Sequence, residues 1–323
     1  MKRVSLIATV FNEAGLEPWL AAIAAQTRAP DEIVICDGGS SDGTFETLQR
    51  WASAQAAARV KIIQKPGCNI AAGRNAAIGA ASGEVVVVSD AGAPPCPEYL
   101  AEMAKPFEAE PAADAVAGHF RFQEDDCGAP STFRRAAAAY LGRPWELPGF
   151  LPSSRSVAFT REAWEKAGGY PEWLTLAAED TLFNKRLIET GVRFVPAPQA
   201  LVFWNLRPNL RSFLRMIARN AFGDAETGSG ARSFYKTLLK LLVELLALAA
   251  VVLGTAHFCG YFHGALTAAL LLPAALAGRA LLRRVPPSGW AYYGALCLLG
   301  GPTYIWGYAK GVLLGKRRPG KAT

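Results

Sequence analysis

Acidic residues nearly vanish from the last third of the chain: after residue 231 there is one, Glu244, against eleven Lys or Arg. That stretch carries +10, so the overall +7 leaves −3 for residues 1–231. The basic balance belongs to the tail, and a nucleic-acid-binding reading, which needs a basic face on the folded domain, is excluded. Charged residues make up only 19% of the chain and apolar ones 51%, which rules out a disordered or fibrous protein. The six cysteines, Cys36, Cys68, Cys96, Cys127, Cys259 and Cys297, contain no C-x-x-C pair. They predict small core residues in a reducing compartment rather than a zinc site or a disulfide framework. Also missing are G-x-G-x-x-G after the first apolar run and G-x-x-x-x-G-K-[ST], which sets aside dehydrogenase and kinase readings. Lys2 and Arg3 precede only seven apolar-rich residues before Phe11-Asn12-Glu13, with no small-residue cleavage site, so the start predicts a buried strand and not a secretory signal.

What the tail does contain is a run of 34 residues, 245–278, without Asp, Glu, Lys or Arg. As helix it would measure about 51 Å, too long for one crossing of a hydrocarbon core of about 30 Å. It predicts two helices, 237–255 and 258–282, with Gly254, His257, Gly260 and His263 at the turn. A third apolar segment, 288–314, is long enough to span, but Gly300-Gly301-Pro302 is expected to break or kink it. Arg232, Lys236 and Lys240 before the first helix and Arg279, Arg283 and Arg284 after the second predict a hairpin with both ends cytoplasmic. A straight third crossing would carry Lys316, Arg317, Arg318 and Lys321 outside. A re-entrant bend at Gly300-Gly301-Pro302, or an interfacial helix pair, would bring the tail back to the cytoplasmic face, and that return is the expectation. The chain is thus read as two domains, 1–231 and 232–323, in a multi-pass protein of the inner (plasma) membrane with its first domain in the cytoplasm.

Residues 1–231 read as α/β. Strands at 4–10, 32–36, 60–64 and 84–89 alternate with helical stretches ending near Gln26, Arg59 and Ala81, the pattern of a mostly parallel sheet covered by helices on both faces. Ligands of such sheets bind beyond the carboxyl ends of the strands. Asn12, Asp37 and Asp90 lie at those ends.

Six short segments follow one another across residues 4–225: Thr9-Val10-Phe11-Asn12-Glu13, Asp37-Gly38-Gly39-Ser40-Ser41-Asp42-Gly43-Thr44, Gly73-Arg74-Asn75 with the small residues up to Gly83, Ser89-Asp90-Ala91-Gly92, Gly168-Gly169-Tyr170-Pro171-Glu172, and Glu179-Asp180. In this order they resemble the family 2 glycosyltransferases, whose fold is GT-A (Rossmann-like). The resemblance implies transfer of a sugar from a nucleoside diphosphate sugar to an acceptor hydroxyl, with no role for nucleic acid. It implies a donor site formed by Thr9, Phe11, Asn12, Glu13, Asp37, Gly38, Arg74 and Asp90. Asp37 would accept a hydrogen bond from the base or ribose, and the guanidinium of Arg74 would reach the diphosphate. Asp42 is better explained as a helix cap.

The family pattern at the fourth segment is Asp-x-Asp, with both acids on a divalent cation, Mg²⁺ or Mn²⁺. Here the second acid is Gly92, which leaves Asp90 as the one metal candidate and keeps open a cation-independent enzyme relying on Arg74 or Arg207. By the same resemblance Asp180 is the general base that takes the acceptor proton in a single inverting displacement, with Glu179 beside it. The bland reading of both is acids favoured at a helix N-terminus. Ser154, Arg155, Trp204 and Arg207 are candidates for the sugar and acceptor pocket, and Trp145 and Trp173 could stack on a sugar. The Gln-x-x-Arg-Trp of processive members is absent, which argues for one transfer per acceptor. Arg211, Arg215 and Arg219 recur every four residues and predict one face turned to solvent or lipid headgroups. A lipid-linked or membrane-delivered acceptor follows from the tail. The alternatives are a GT-A scaffold without chemistry, suggested by Gly92, and a sugar nucleotidyltransferase, which would need a Gly-rich basic loop where Phe11-Asn12-Glu13 stands.

Overall fold

The computed structural model describes residues 2–13, 15–55, 59–123, 132–142, 151–259 and 261–316, without the side chains of 255 and 258–269. Trp145, Cys127, Gly260, Arg317, Arg318 and Lys321 lie outside the described residues or their side chains, and so do the side chains of Cys259 and His263. By contact the chain forms two compact units: Met1–Gln123, Pro144–Leu174 and Ala178–Asn205 in the first, and Glu124–Arg143, Thr175–Ala177 and Leu206–Thr323 in the second.

The first unit is built on seven strands, β1 (Val4–Val10), β2 (Glu32–Asp37), β3 (Arg59–Gln64), β4 (Val85–Ser89), β5 (Ala115–Phe122), β6 (Ser156–Thr160) and β7 (Phe194–Trp204). Their order is β3-β2-β1-β4-β6-β5-β7. β3, β2, β1 and β4 run parallel, β6 lies antiparallel between β4 and β5, and β5 pairs parallel with β7. Alternation of side chains sorts each strand between two cores. Leu6, Ala8, Ile33, Ile35, Val85 and Val87 pack on one face. There they meet Trp19, Leu20 and Ile23 of α1 (Glu17–Ala24), Leu48 of α2 (Thr44–Ser53) and Tyr99 to Phe107 of α4 (Tyr99–Glu108). Ile7, Val34, Cys36, Val86 and Val88 pack on the other, against α3 (Ile70–Ala80), α6 (Arg161–Lys166) and α7 (Glu179–Glu189). The strands are apolar on both sides because both sides are covered. The helix expected to reach Arg59 ends at Ser53, since Arg59 pairs with Glu32 and belongs to the β2–β3 ladder.

The second unit contains α5 (Thr132–Leu141), α8 (Leu210–Glu226), α9 (Ala231–Cys259), α10 (Tyr261–Leu282) and α11 (Trp290–Leu314). By contact it begins at Leu206, ahead of residue 232, because α8 packs along α11. The expected break at Gly300-Gly301-Pro302 does not occur: α11 is one continuous helix, so the third segment forms no re-entrant hairpin. Its glycines are points of close helix approach. A Cβ at Gly307 would sit 2.5 Å from the Ala218 carbonyl oxygen, one at Gly311 2.6 Å from that of Phe222, and one at Gly300 would collide with the Tyr140 hydroxyl. Packing on α8 and α5 offsets the one backbone hydrogen bond that Pro302 removes. Ala231–Gly254 is long and apolar enough to cross a membrane, with a mean hydropathy of 2.2 and no buried share, and it alone passes that test among the described residues. Arg279 of α10 reaches back to Glu244 of α9 at 2.9 Å.

Candidate active site

The carboxyl ends of β1, β2 and β3 are knitted into one platform. Asp37 closes β2 and is fully buried. Its Oδ2 accepts from the amides of Gly39 (3.1 Å) and Ser40 (3.0 Å) and from Gln64 Nε2 (3.1 Å), and its Oδ1 accepts from the Ser40 hydroxyl (2.5 Å). The carboxylate expected to meet a nucleoside is thus held by its own loop and by Gln64 of β3. Gly39, at φ +93°, makes that turn possible, since a Cβ there would also stand 2.9 Å from Pro66 Cα. The Asn12 amide donates to Ser40 Oγ, and its Oδ1 accepts from the Ser41 amide; the Glu13 amide donates to Thr44 Oγ1. Asn12 itself holds φ at +48°, a conformation Asn tolerates better than most residues. Phe11 is 62% exposed, with its ring over Gly38. Thr9 lies under α3, where Gly73 admits its hydroxyl. Asp42 binds the amide and hydroxyl of Thr44 from one position ahead of the formal cap, Gly43, and the Thr44 hydroxyl holds its carboxyl below the usual range.

Arg74 joins two parts of the site. Its Nη2 donates to Asp90 Oδ1 at 2.8 Å and its Nη1 to Glu179 Oε1 at 2.6 Å, beneath the Tyr170 ring at 5.3 Å. The side chain is 2% exposed. Its expected contact with a diphosphate therefore gives way to an internal role, because both terminal nitrogens already hold carboxylates. Burial alone would pull the guanidinium down, yet Asp90 and Glu179 hold it up. On Glu179, burial and the neighbouring Asp180 push the carboxyl up, against Arg74.

Asp180 stands in the first turn of α7, after Ala178 in the left-handed region at φ +70°. Its Oδ1 accepts from the Thr181 amide at 2.7 Å and its Oδ2 from the Ser154 amide at 3.4 Å. Unlike Glu179 it is partly open to solvent. Ser154 is buried, and its hydroxyl is 2.8 Å from that of Tyr170. The Arg155 guanidinium sits over Trp204, its central carbon 3.9 Å from the ring centroid, with Nη1 on Ser153 Oγ at 2.7 Å and Nε 3.8 Å from Asp90 Oδ2. The structure thus brings Arg74, Asp90, Glu179, Asp180, Ser154, Arg155 and Trp204 into one network. Arg207 is exposed on the approach to α8 with no polar partner placed on it among the described residues, and Trp173 is half-buried.

Asn75, named above only within its motif, and Asn69, which no motif singled out, organise this network. Asn75 Oδ1 accepts from the Tyr170 amide (2.9 Å), and its Nδ2 donates to the Tyr170 carbonyl (2.9 Å) and to Glu172 (2.8 Å). Asn69 caps α3 and donates to the carbonyls of Glu172 and Leu174. The Gly-Arg-Asn and Gly-Gly-Tyr-Pro segments are therefore one clamp, which places Tyr170 over Arg74.

Among the described residues the expected cation finds no protein-held site. Both oxygens of Asp90 face guanidinium groups. No group of three His, Cys, Asp or Glu side chains able to hold a metal exists among the described residues.

Residues 5–149 match the profile of Glycosyl transferase family 2. Among solved structures the chain is similar to the mannosyltransferase PcManGT from Pyrobaculum calidifontis in complex with GDP-Man and Mn²⁺, at 25% identity and a TM-score of 0.59, covering 97% of this chain and 87% of that one. It also resembles S. aureus TarS 1-349, at 17% identity and a TM-score of 0.51, covering 96% and 92%. The same TarS fragment in complex with UDP-GlcNAc aligns at 16% identity and a TM-score of 0.50, and these two likenesses speak to the fold. Among proteins of curated function none matches the chain.

Proposed function

We propose, for a chain that belongs through residues 5–149 to Glycosyl transferase family 2, that it moves one sugar from a nucleoside diphosphate sugar to an acceptor hydroxyl with inversion, and that Asp180 is the base. Nucleotide-sugar glycosyl transfer is the family's chemistry. The observation that supports the finer reading is the division of labour within the acid pair. Glu179 is buried and committed to Arg74, whereas Asp180 is oriented by the Thr181 and Ser154 amides and keeps free lone pairs toward solvent.

The acceptor oxygen attacks the anomeric carbon, its proton passes to Asp180, and the bond from that carbon to the diphosphate oxygen breaks. The nucleoside diphosphate leaves with the electron pair, and one displacement inverts the carbon. Asp180 later returns the proton to water. Glu179 and Arg74 fix the start of α7 so that the carboxylate is aimed before substrate arrives, the preorganisation on which such catalysis depends. Mg²⁺ or Mn²⁺ remains the proposed cofactor only as a companion of the donor diphosphate, and no step is assigned to it.

Membrane attachment through α9 is part of the proposal. Leu239, Leu242, Val243, Leu245, Leu246 and Leu253 are exposed on it, and Arg232, Lys236 and Lys240 flank its start, the arrangement of a helix whose basic end faces the cytoplasm. An acceptor delivered by the membrane, in glycan or glycolipid assembly, fits that placement.

The test is calorimetric binding of UDP and GDP, with Mg²⁺, Mn²⁺ or EDTA, followed by a turnover screen of nucleotide sugars. Asp180→Asn should bind nucleotide as the wild type does and lose about 10²–10⁴-fold in transfer rate. Absence of nucleotide binding under every condition, or undiminished transfer by Asp180→Asn, would overturn the reading.

A further inference from the structure

We propose that Arg155 supplies the positive charge that meets the donor diphosphate at the end of β4, in the place where the family pattern sets a second acid and its cation. The inference rests on the donor-site reading above and adds a residue to it.

The sheet itself sets Arg155 there. β6 runs antiparallel to β4 with Ser156 opposite Ser89, so the next residue outward on each strand brings Arg155 to Asp90. The guanidinium is held on three sides: its central carbon over the Trp204 ring at 3.9 Å, Nη1 on Ser153 Oγ at 2.7 Å and Nε beside Asp90 Oδ2 at 3.8 Å. Trp204 is fixed in turn by Phe120 and Phe122, with ring centroids 5.6 and 5.7 Å away. A planar fork held over an indole loses little freedom on meeting a phosphate, and it offers paired donors that an ammonium lacks.

Of the two arginines on Asp90, only this one is open. Arg74 is 2% exposed and held at both terminal nitrogens by carboxylates, whereas Arg155 is 26% exposed. Asp90 and Glu179 offset the two guanidiniums in charge, so what the strand end offers a ligand is the exposed donor edge of Arg155 and not an excess of charge. A diphosphate that gains negative charge as it leaves is stabilised there. At Gly92 the position of the second acid is empty space, since a Cβ added there meets nothing within 4 Å. Nothing steric keeps an acid out; with Arg155 present, an acid at that position would partly cancel the charge on the diphosphate's side.

The experiment compares GDP, UDP and the corresponding nucleoside monophosphates by calorimetry in EDTA, with wild type, Arg155→Met, Arg155→Lys and Gly92→Asp. Wild type should bind diphosphates in EDTA. Arg155→Met should weaken that binding about tenfold to a hundredfold and leave monophosphate binding within about twofold, and Arg155→Lys should fall between. Gly92→Asp should bind poorly in EDTA and regain affinity with Mn²⁺. Loss of the guanidinium over the ring should also brighten or shift Trp204 emission, a readout that a Trp204→Phe control assigns. Diphosphate binding in EDTA that Arg155→Met leaves intact would overturn the proposal, as would wild-type binding that requires Mg²⁺ or Mn²⁺. Those outcomes leave the donor site standing, whereas failure of every nucleotide to bind with any cation would overturn both readings.

Discussion

Arg74 and Glu179, 105 residues apart in sequence, form a buried ion pair at 2.6 Å, and the same guanidinium continues to Asp90 at 2.8 Å. The end of a parallel strand and the start of the helix bearing the proposed base are thereby tied through one side chain.

Removing that link leaves Glu179 buried and unpaired. Arg74→Ala should therefore destabilise the fold by about 3–5 kcal/mol. The double change Arg74→Met with Glu179→Met removes both charges and should recover most of the loss. Thermal unfolding of wild type, Arg74→Met, Glu179→Met and the double Met variant in one detergent closes the cycle. Equal loss in the single and double variants would mean that Arg74 acts through packing under Tyr170 and not through charge.

Glu179 should also make stability fall with pH. Burial and Asp180 raise its carboxyl above the ordinary value of 4.5, so in the window above 4.5 the folded state keeps a proton that the unfolded chain has released. The proton count is then higher in the folded state, and stability declines as pH rises through the raised value. The contribution is fully present below 4.5. Melting temperatures of wild type and Glu179→Gln from pH 4 upward should therefore diverge in favour of the Gln protein, about 1.4 kcal/mol for each pH unit crossed at most. A gap that widens in favour of wild type would contradict the shift.

The glycines of α11 should differ sharply in tolerance. A Cβ at Gly307 would press on the Ala218 backbone at 2.5 Å, where no flexible side chain can yield, so Gly307→Ala should cost about 1–3 kcal/mol. Gly301 meets only Leu241 at 3.5 Å, ordinary contact, and Gly301→Ala should be neutral or stabilise the helix by up to about 1 kcal/mol. Comparing the two melting temperatures separates helix propensity from close packing.

Membrane attachment through α9 predicts that the protein floats with phospholipid vesicles. Replacing the exposed Leu242, Leu245 and Leu246 with Lys should release it, since each Lys within a spanning helix costs about 2.5–3.5 kcal/mol. Asp180→Asn should float like the wild type. Flotation of the triple Lys variant would move the anchor elsewhere in the chain.

Much of this was legible in the sequence because short-range patterns carry it. Val85-Val86-Val87-Val88 is apolar on both sides of a strand and reads as a covered central strand, which it is. Asn12, Asp37 and Asp90 sit where strands end, so their gathering at one sheet edge follows from topology alone. Asp180 is singled out by the family resemblance; its place at the head of a helix alone supports only the bland reading. The chain also announced its apolar tail through a run of residues without charge.

Other features depended on pairings that no local pattern contains. Arg74 looked like a free cation because its partner Glu179 lies far along the chain. Asp37 looked like an acceptor open to a ligand until its loop folded back on it. Arg155 faces Asp90 only because β6 enters the sheet antiparallel in that register. Gly300-Gly301-Pro302 signalled a break that packing on α8 and α5 overrides. The sequence by itself determined the elements, the two-faced sheet and the loops at its edge, since these rest on periodicity and turn chemistry a few residues long. Tertiary structure alone decided which charges neutralise one another and which stay open, because a side chain's partner is set by strand register and helix contact across the whole fold.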